Sequence, residues 1–386
     1  MAHCPTILAQ MLRLFSRYEF DKIVREHNTE HHARGVRSWS QFVAMLFGQL
    51  AGLDSLRGIE AGLATQGKHL YHLGVIPINR SSLSYANAHR SASLFEAMFY
   101  QMLSKCQAIA PRHKFRFKNP LYSIDATVIT LCLSLFNWAQ FRKTKGAVKL
   151  HVKFNHAGYL PSFALLTTGR VHESTVAAHI PLQAGDVVVL DRGFLDFGYL
   201  KTLQDQRVIF VTRLKSNSAF TVVQRRPHDH PRIVADQIIH LTGFYSRRDY
   251  LLPLRRIVAR DPETKKHVAL LTNQFQWAAS TIASIYKERW QIELFFKTLK
   301  QQLQVKSFVG TSKNALLSQL WVALIAYLLL SYLKFKSKFQ WSLYTLSSIL
   351  PTNIFSQRNM WDWLNAPYKS TGPLPHTPRQ LELIFG

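Results

Sequence analysis

The sequence predicts an α/β protein with a mixed β-sheet and a mostly β insertion, preceded by an α-helical region and followed by a second helical region. Three observations support this expectation. Apolar residues recur at three- and four-residue spacing through 5–110, as in amphipathic helices. Short β-branched runs follow, first in succession and then alternating with helical segments. From 278 onwards the helical spacing returns. This order of elements implies a mixed sheet with helices packed on it.

The first 110 residues are predicted to form several short helices. Loop-like breaks fall at 27–35, 52–54 and 77–82, and a longer helix is expected from Arg80 to Cys106. Two of the short helices meet at Gly52, which suggests a helix-turn-helix that contacts DNA. A plain packing unit of two helices is the alternative.

The basic segment 111–120 contains two prolines and is expected to link the helices to a sheet. The run around 155–158 alternates on both sides of a turn and predicts a hairpin. Further on, 215–274 carries short alternating runs without a strong helical period and is expected to be a β insertion. The runs that predict strands are LYSIDATVITL, AVKLHVKFNHAGYLPSFALLTTG, DVVVLD and RVIFVTRL.

After the insertion, one helix without proline is expected from 278 to 306, and a second from 316 to 333. The second has no charge over a length close to that of a membrane core. A helix buried within the protein is the preferred interpretation, and a membrane anchor is the alternative. The predicted boundaries are 1–110 (helical N-terminal domain, candidate for DNA binding), 111–214 (first part of the α/β core), 215–274 (insertion), 275–335 (core helices) and 336–386 (C-terminal tail).

The charge balance points to a polyanionic partner. The chain has 48 Lys and Arg against 22 Asp and Glu, a formal net charge of +26. Such a field attracts nucleic acid, with an anionic membrane surface as the competitor. Three scattered cysteines without a CxxC pair, and a start without signal-peptide features, suit a protein of the reducing cytoplasm. A GxxxxGK[ST] motif is absent from the sequence, so an ATP-driven motor is unsupported.

Two aspartates in predicted strands are candidates for chemistry. Asp125 lies inside LYSIDATVITL, where a carboxylate is costly unless it is paired, hydrogen-bonded or bound to metal. Asp191 ends DVVVLD, at the carboxyl end of a strand, where ligands bind in open α/β sheets. A satisfied structural Asp is the alternative for Asp125, and a helix N-cap is the alternative for Asp191.

A third acid, Glu293, lies in SIYKERWQIELFFKTLKQQL. At about 100° per residue, four polar side chains of this segment fall within an arc of roughly 60° on a single helix. They are Tyr286, Arg289, Glu293 and Lys300. Apolar residues occupy the opposite face, so the polar face is predicted to line a site, and a solvated surface is the alternative.

Three acids in so basic a chain suit two-metal phosphoryl transfer, in which carboxylates hold two Mg²⁺ ions. A zinc site would need clusters of His or Cys. The histidine-rich segments 27–32 and 228–230 lack HExxH spacing, so zinc is not favoured.

These motifs together resemble the DDE transposases of the insertion-sequence family four, a bacterial group. SIDATVI contains Asp125, VVVLDRGF contains Asp191, and YKERWQIELFFKTLK fits the family signature Y-x2-R-x3-E-x6-K. The resemblance extends over roughly 20–331 and implies a ribonuclease-H-like catalytic core. It also implies Asp125, Asp191 and Glu293 as the catalytic metal ligands, with two Mg²⁺ ions per site and Mn²⁺ as a substitute.

The resemblance further implies a homodimer that synapses terminal inverted repeats and joins them to target DNA, without a membrane partner. In this interpretation Arg289 and Lys300 contact the DNA backbone, and Tyr286 orients phosphate or Glu293. Related members hold a flipped base on aromatic residues, for which the candidates here are Trp277, Trp290 and Phe244. The alternatives are a non-catalytic DNA-binding protein derived from a transposase and a structure-specific nuclease.

Overall fold

The computed structural model describes residues 4–31, 33, 35–132, 134–142, 145–171, 173–261, 265–301, 303 and 308–368. Its amino-terminal part is helical. The helices are α1 Ile7–Leu12, α2 Arg17–Glu26, α3 Ser38–Leu50, α4 Leu56–Ala64, α5 Gly67–Leu73, α6 Arg80–His89 and α7 Ser93–Gln107. α3 is buried along its whole length, and it meets α4 at Gly52, whose φ is +69°. α3 thus belongs to the core, whereas α4 buries Ile59 and Leu63 and leaves its other residues half-buried or exposed.

Ten strands form one sheet in the centre of the chain. They are β1 Leu121–Leu131, β2 Gln140–Arg142, β3 Lys145–Asn155, β4 Leu160–Thr168, β5 Val187–Leu190, β6 Ile209–Arg213, β7 Phe220–Arg225, β8 Ile233–Leu241, β9 Leu254–Arg260 and β10 His267–Thr272. The main path runs β2-β3-β1-β5-β6-β10-β9-β8-β7, and β4 pairs with the far side of β3.

The first half of this sheet has the ribonuclease-H-like arrangement. β1, β3 and β4 are antiparallel neighbours, and β5 and β6 continue the sheet parallel to β1. The crossovers carry the helices α8 Glu173–Ala177 and α9 Phe197–Asp205. The predicted mixed sheet is confirmed, and so is the hairpin, since β3 and β4 are joined by the turn 156–159.

The segment 215–274 is mostly β, with one short helix, α10 Phe244–Asp249, between β8 and β9. Its strands do not form a separate layer. β10 pairs antiparallel with β6, so the inserted strands extend the same sheet. A buried ion pair stabilises this extension: Arg255 contacts both oxygens of Asp236, at 2.8 and 2.6 Å.

Two predicted helices are interrupted. The segment 80–106 is two helices, because Arg90 adopts an extended conformation and its carbonyl accepts a hydrogen bond from the Asn314 side chain at 2.5 Å. The prediction of one helix over 278–306 is wrong: the structure has α11 Ala279–Glu288 and α12 Trp290–Gln301. Residues 302 and 304–307 lie outside the described chain.

The long apolar helix predicted around 316–333 is α13 Lys313–Lys336, and it is buried in the protein. It is long and apolar enough to cross a membrane, but 89% of its apolar window is covered by other parts of the protein. α13 packs against α3, α6 and α7 and against α14 Leu343–Asn353. The last described helix, α15 Met360–Asn365, joins the same core through Met360 and Leu364. The interpretation as a buried helix is therefore confirmed.

Candidate active site

Asp125, inside β1, and Asp191, directly after β5, lie at the same level of two neighbouring parallel strands. β1 and β5 pair as far as Ile124 and Leu190, so an aspartate comes next in each chain. β5 is buried through Leu190, and the chain then turns away into a short 3-10 turn. The parallel register thus brings the two carboxylates together at the carboxyl end of β5, where open α/β sheets bind ligands.

Each aspartate divides its two oxygens between backbone and site. Oδ2 of Asp191 accepts a hydrogen bond from the Gly193 N–H at 3.3 Å, while its Oδ1 lies 3.9 Å from Arg289. In Asp125, Oδ1 accepts from the Ala126 N–H at 2.8 Å, and Oδ2 accepts from Arg289 at 3.1 Å. The capping role considered for Asp191 is present, but it leaves an oxygen for the site.

Glu293 reaches the same place from the first turn of α12. The apolar face of this helix is buried, and Phe295 carries much of the contact: its ring lies 5.1 Å from Phe154 and 4.9 Å from Tyr327. Glu293 projects from the other side and is one-third exposed. A carboxylate in the first turn is also favoured by the positive end of the helix dipole. The core contacts of α12 therefore fix the height of Glu293 beside β1.

Arg289 lies between the three acids. Its Nη1 is 3.1 Å from Asp125 and 3.9 Å from Asp191, and its Nη2 is 2.5 Å from Glu293. Burial by itself would lower the pKa of Arg289, but Tyr286 and the three carboxylates raise it above its usual value. The guanidinium therefore stays charged, and one cation is shared by three predicted site acids.

Tyr286 and Lys300 border this cluster. The Tyr286 hydroxyl is buried and has no hydrogen-bond partner among the described residues. Burial raises its pKa, and the charge of Asp191 adds to the effect, so it remains a neutral donor. Lys300 donates from Nζ to the carbonyl of Val128 on β1 at 2.9 Å. Lys300 lines a groove together with Asp125, Thr127, Glu293, Phe296 and Lys297.

Tyr286, Arg289, Glu293 and Lys300 were expected to line one site because they would lie on one face of a single helix. The structure shows that this reason is wrong. α11 ends at Glu288 and α12 begins at Trp290, so Tyr286 and Lys300 belong to different helices. The four side chains do not share one continuous helical face. Lys297 was missed as a groove residue, although its i+4 spacing from Glu293 was visible in the sequence.

The donors present suit a hard divalent cation. Three carboxylates contact the one guanidinium of Arg289, while among the described residues there is no group of three or more His, Cys, Asp or Glu side chains already arranged around a metal position. In the described geometry the acids are drawn to Arg289 and do not surround a single point. Carboxylate oxygens are the ligands that Mg²⁺ and Mn²⁺ prefer in proteins, so the types of donor at this site fit such an ion.

The three aromatic candidates differ in exposure. Trp277 is stacked on Phe117 at 4.3 Å and belongs to the packing around α11. Trp290 is 57% exposed, directly after Arg289, and Phe244 is 79% exposed on α10. Of these three, Trp290 and Phe244 are the two whose side chains are mostly exposed and accessible to a ligand.

Comparison with known proteins identifies the family. The sequence profile of the transposase DDE domain matches residues 116–329, and a domain of unknown function (DUF4372) matches 3–76. The protein y4zB of Sinorhizobium fredii, named as a transposase, is 32% identical over 257 residues, which are 64% of this chain and 69% of that protein. The transposase named for insertion sequence element IS5377 of Geobacillus stearothermophilus is 30% identical, over 68% of this chain and 69% of its own length.

A solved piggyBac transposase synaptic complex with hairpin DNA aligns with 91% of this chain and 80% of its own, at 13% identity and a TM-score of 0.45. The strand order and the domain match together define a polynucleotidyl transferase with a ribonuclease-H-like core. The chain belongs to the DDE transposase family. Members of this family act on DNA and use divalent metal ions, so the predicted class of enzyme and its DNA partner are confirmed.

Proposed function

We propose that Asp125, Asp191 and Glu293 form the catalytic centre at which this transposase cuts the ends of an insertion sequence and joins them to target DNA. The observation that carries the proposal is the convergence of the three acids on Arg289, within 3.1, 3.9 and 2.5 Å. Two Mg²⁺ ions, for which Mn²⁺ can substitute, would activate the attacking oxygen and stabilise the leaving oxygen.

The neighbouring side chains supply the remaining contacts to DNA. Arg289 and Lys300 bind phosphate oxygens beside the acids, since guanidinium and ammonium groups both suit phosphate. Tyr286 offers a buried hydroxyl, without a hydrogen-bond partner in the part of the chain that the structure describes, which orients a phosphate or Glu293. To contact phosphate, the Lys300 ammonium breaks its hydrogen bond to the Val128 carbonyl, which it makes at the surface of the groove.

The DNA substrate and the oligomeric state are inferred from the resemblance to the transposases of the insertion-sequence family four. The DNA ends are terminal inverted repeats, two protomers synapse them as a homodimer, and the reaction takes place in the bacterial cytoplasm at the nucleoid. The signature through Tyr286 and Lys300 supports assignment to the insertion-sequence family four. We also propose that the domains of the chain meet near residues 110, 214, 274 and 335.

Single substitutions test the centre. Asp125→Asn, Asp191→Asn and Glu293→Gln each remove a ligand charge and little DNA contact. Each should lower metal-dependent cleavage of a terminal-repeat duplex by at least roughly a thousandfold, about 4 kcal/mol, with DNA binding retained. Asp205→Asn, an exposed acid paired with Lys201 on α9, is the control and should cut normally. Near-normal cleavage by any of the three would exclude that residue from the centre.

The same assay separates the alternatives. A non-catalytic DNA-binding protein would bind the repeats without cutting them at any Mg²⁺ or Mn²⁺ concentration. A structure-specific nuclease would cut them without joining the ends to a second duplex. The acid cluster on the sheet favours the transposase, because a protein that only binds DNA has no need for three half-buried carboxylates.

A further inference from the structure

Glu288, the residue before Arg289, is a buried carboxylate with two partners from distant parts of the chain. Its side chain is 8% exposed. It accepts a hydrogen bond from the Tyr159 hydroxyl at 3.2 Å and forms an ion pair with Lys114. A buried carboxylate is costly without such partners. The three residues Lys114, Glu288 and Tyr159 are called the junction clamp below.

Tyr159 is itself held firmly. It lies in the turn between β3 and β4 with φ +57°, a left-handed conformation that is uncommon for residues other than glycine. Its carbonyl accepts a hydrogen bond from the Tyr327 hydroxyl on α13 at 2.9 Å. Burial raises the pKa of Tyr159 to about 12, and Glu288 adds to the rise, so the phenol remains a donor at neutral pH.

The junction clamp holds the chain at the point where α11 ends and α12 begins. Only Arg289 separates the last residue of α11 from the first of α12, and its N–H bonds back to the Tyr286 carbonyl at 3.1 Å. A shift of Glu288 would therefore move the Arg289 guanidinium and the start of α12, which carries Glu293. The opposite side of the site, Asp125 and Asp191, is fixed by the β1–β5 pairing.

We infer that the junction clamp is a positioning device for the metal site: it fixes the start of α12 and thereby sets the Glu293 carboxylate at the height of the two aspartates. The inference rests on the metal site proposed above. The Glu288–Tyr159 hydrogen bond carries most of the effect, because the Lys114 side chain is 62% exposed and its charge is screened by water. Small misplacements of ligands are costly, since a metal needs its oxygen donors in defined positions.

The test is Mn²⁺ binding to the full chain without DNA, followed by electron paramagnetic resonance. Glu288→Ala should weaken Mn²⁺ binding by roughly tenfold, about 1.4 kcal/mol. Glu288→Gln should bind within about threefold of wild type, because the amide oxygen still accepts from Tyr159. Tyr159→Phe keeps the ring and loses the donor, and it should bind at least about threefold more weakly than wild type. Lys114→Ala should stay within about threefold.

Glu30→Gln is the matched control. Like Glu288, Glu30 is a carboxylate with one cationic partner and one hydrogen-bond donor, here Arg37 and the Ser38 N–H, but it lies in the helical region. The Glu30→Gln variant should have a lower melting temperature than wild type, while its Mn²⁺ binding stays normal. The clamp is refuted if Glu288→Ala and Tyr159→Phe bind Mn²⁺ normally, or if Glu288→Gln binds as weakly as Glu288→Ala.

Asp125→Asn distinguishes failure of the clamp from failure of the metal site. If Asp125→Asn loses Mn²⁺ binding while the Glu288 and Tyr159 variants retain it, the proposed metal site is supported and the proposed role of the clamp is refuted. If Asp125→Asn binds Mn²⁺ normally, the metal site itself is wrong and the clamp falls with it. Should Glu288→Ala not fold, the comparison of Tyr159→Phe with wild type decides the matter.

Discussion

The carboxylate of Asp125 and the guanidinium of Arg289 meet at 3.1 Å although 164 residues separate them in the chain. The same guanidinium contacts Glu293, so it occupies the space between two acids that are proposed to share metal ions. A positive side chain in this position offsets the repulsion among the acids, and it also competes with any cation that approaches them.

Replacing Arg289 should therefore change metal binding as well as catalysis. In Arg289→Ala the acids lose their shared cation, and Mn²⁺ affinity without DNA should rise by roughly three- to tenfold, of the order of 1 kcal/mol. Cleavage should nevertheless slow, because a phosphate contact is lost. Isothermal titration calorimetry with MnCl₂ measures the first effect. Arg192→Ala, an exposed cation directly after Asp191, is the control, and lower Mn²⁺ affinity in Arg289→Ala would contradict the idea of competition.

Lys300 should act on DNA and leave the metals unaffected. Lys300→Ala should slow single-turnover cleavage of a pre-nicked end by roughly ten- to a thousandfold, about 1.4 to 4 kcal/mol, because a phosphate contact next to the acids is lost. The Mg²⁺ concentration for half-maximal rate should not change. Lys334→Ala, at the exposed end of α13, should cut normally. Restoration of the Lys300→Ala rate by excess Mg²⁺ would instead assign Lys300 to the metal site.

Binding of terminal-repeat DNA should depend steeply on salt. A chain of net charge +26 releases many counterions when it binds a duplex. We expect affinity to fall by at least roughly a hundredfold between about 50 and 200 mM KCl. Fluorescence anisotropy across a KCl series gives the slope, and a flat dependence would be inconsistent with a phosphate-dominated interface.

Phe295 should be a strong determinant of stability, because it joins α12 to both β3 and α13. Phe295→Ala removes a ring that is 2% exposed and should lower the free energy of unfolding by about 3–5 kcal/mol. Leu294→Ala, on the 40% exposed neighbour, should cost less than about 1 kcal/mol. Urea unfolding followed by circular dichroism measures both, and equal losses would show that α12 is not anchored through its apolar face.

Two buried histidines should make the fold sensitive to acid. Burial lowers the pKa of His151 to about 4 and that of His156 to about 3, with nearby positive groups adding to each shift. The unfolded chain, with histidine pKa values near 6.5, binds these protons first. The free energy of unfolding is therefore highest above about pH 6.5 and decreases as the pH falls towards 4. Each histidine contributes a decrease of the order of 2–3 kcal/mol.

Urea unfolding at several pH values tests this expectation. His156→Gln should flatten the dependence of unfolding free energy on pH, because one of the two protons is no longer taken up. His230→Gln, which replaces an exposed histidine in the insertion, should leave the slope unchanged. An unchanged slope in His156→Gln would mean that His156 is charged in the folded protein or is not a determinant of acid stability.

Much of the fold was predictable because its signals are local. Alternating β-branched runs predicted β1, β3, β4 and β5, and the turn signal at 155–158 predicted the β3–β4 hairpin. The absence of charge over 316–333 predicted that this part of α13 is buried, because a helical segment that is apolar on every side is not stable in contact with water. Interruption of the predicted helices was missed, since Asn314 and the clamp residues act from distant parts of the chain.

The sequence by itself determined which side chains are available: three acids at strand and helix positions among 48 basic residues, in motifs that resemble one transposase family. It could not determine that Arg289 lies between these acids, because that placement depends on the parallel register of β1 and β5 and on the break between α11 and α12. Both depend on contacts between segments far apart in the chain, which residue spacing does not encode. Tertiary packing therefore decided the geometry of the site, while local pattern had already decided its chemistry.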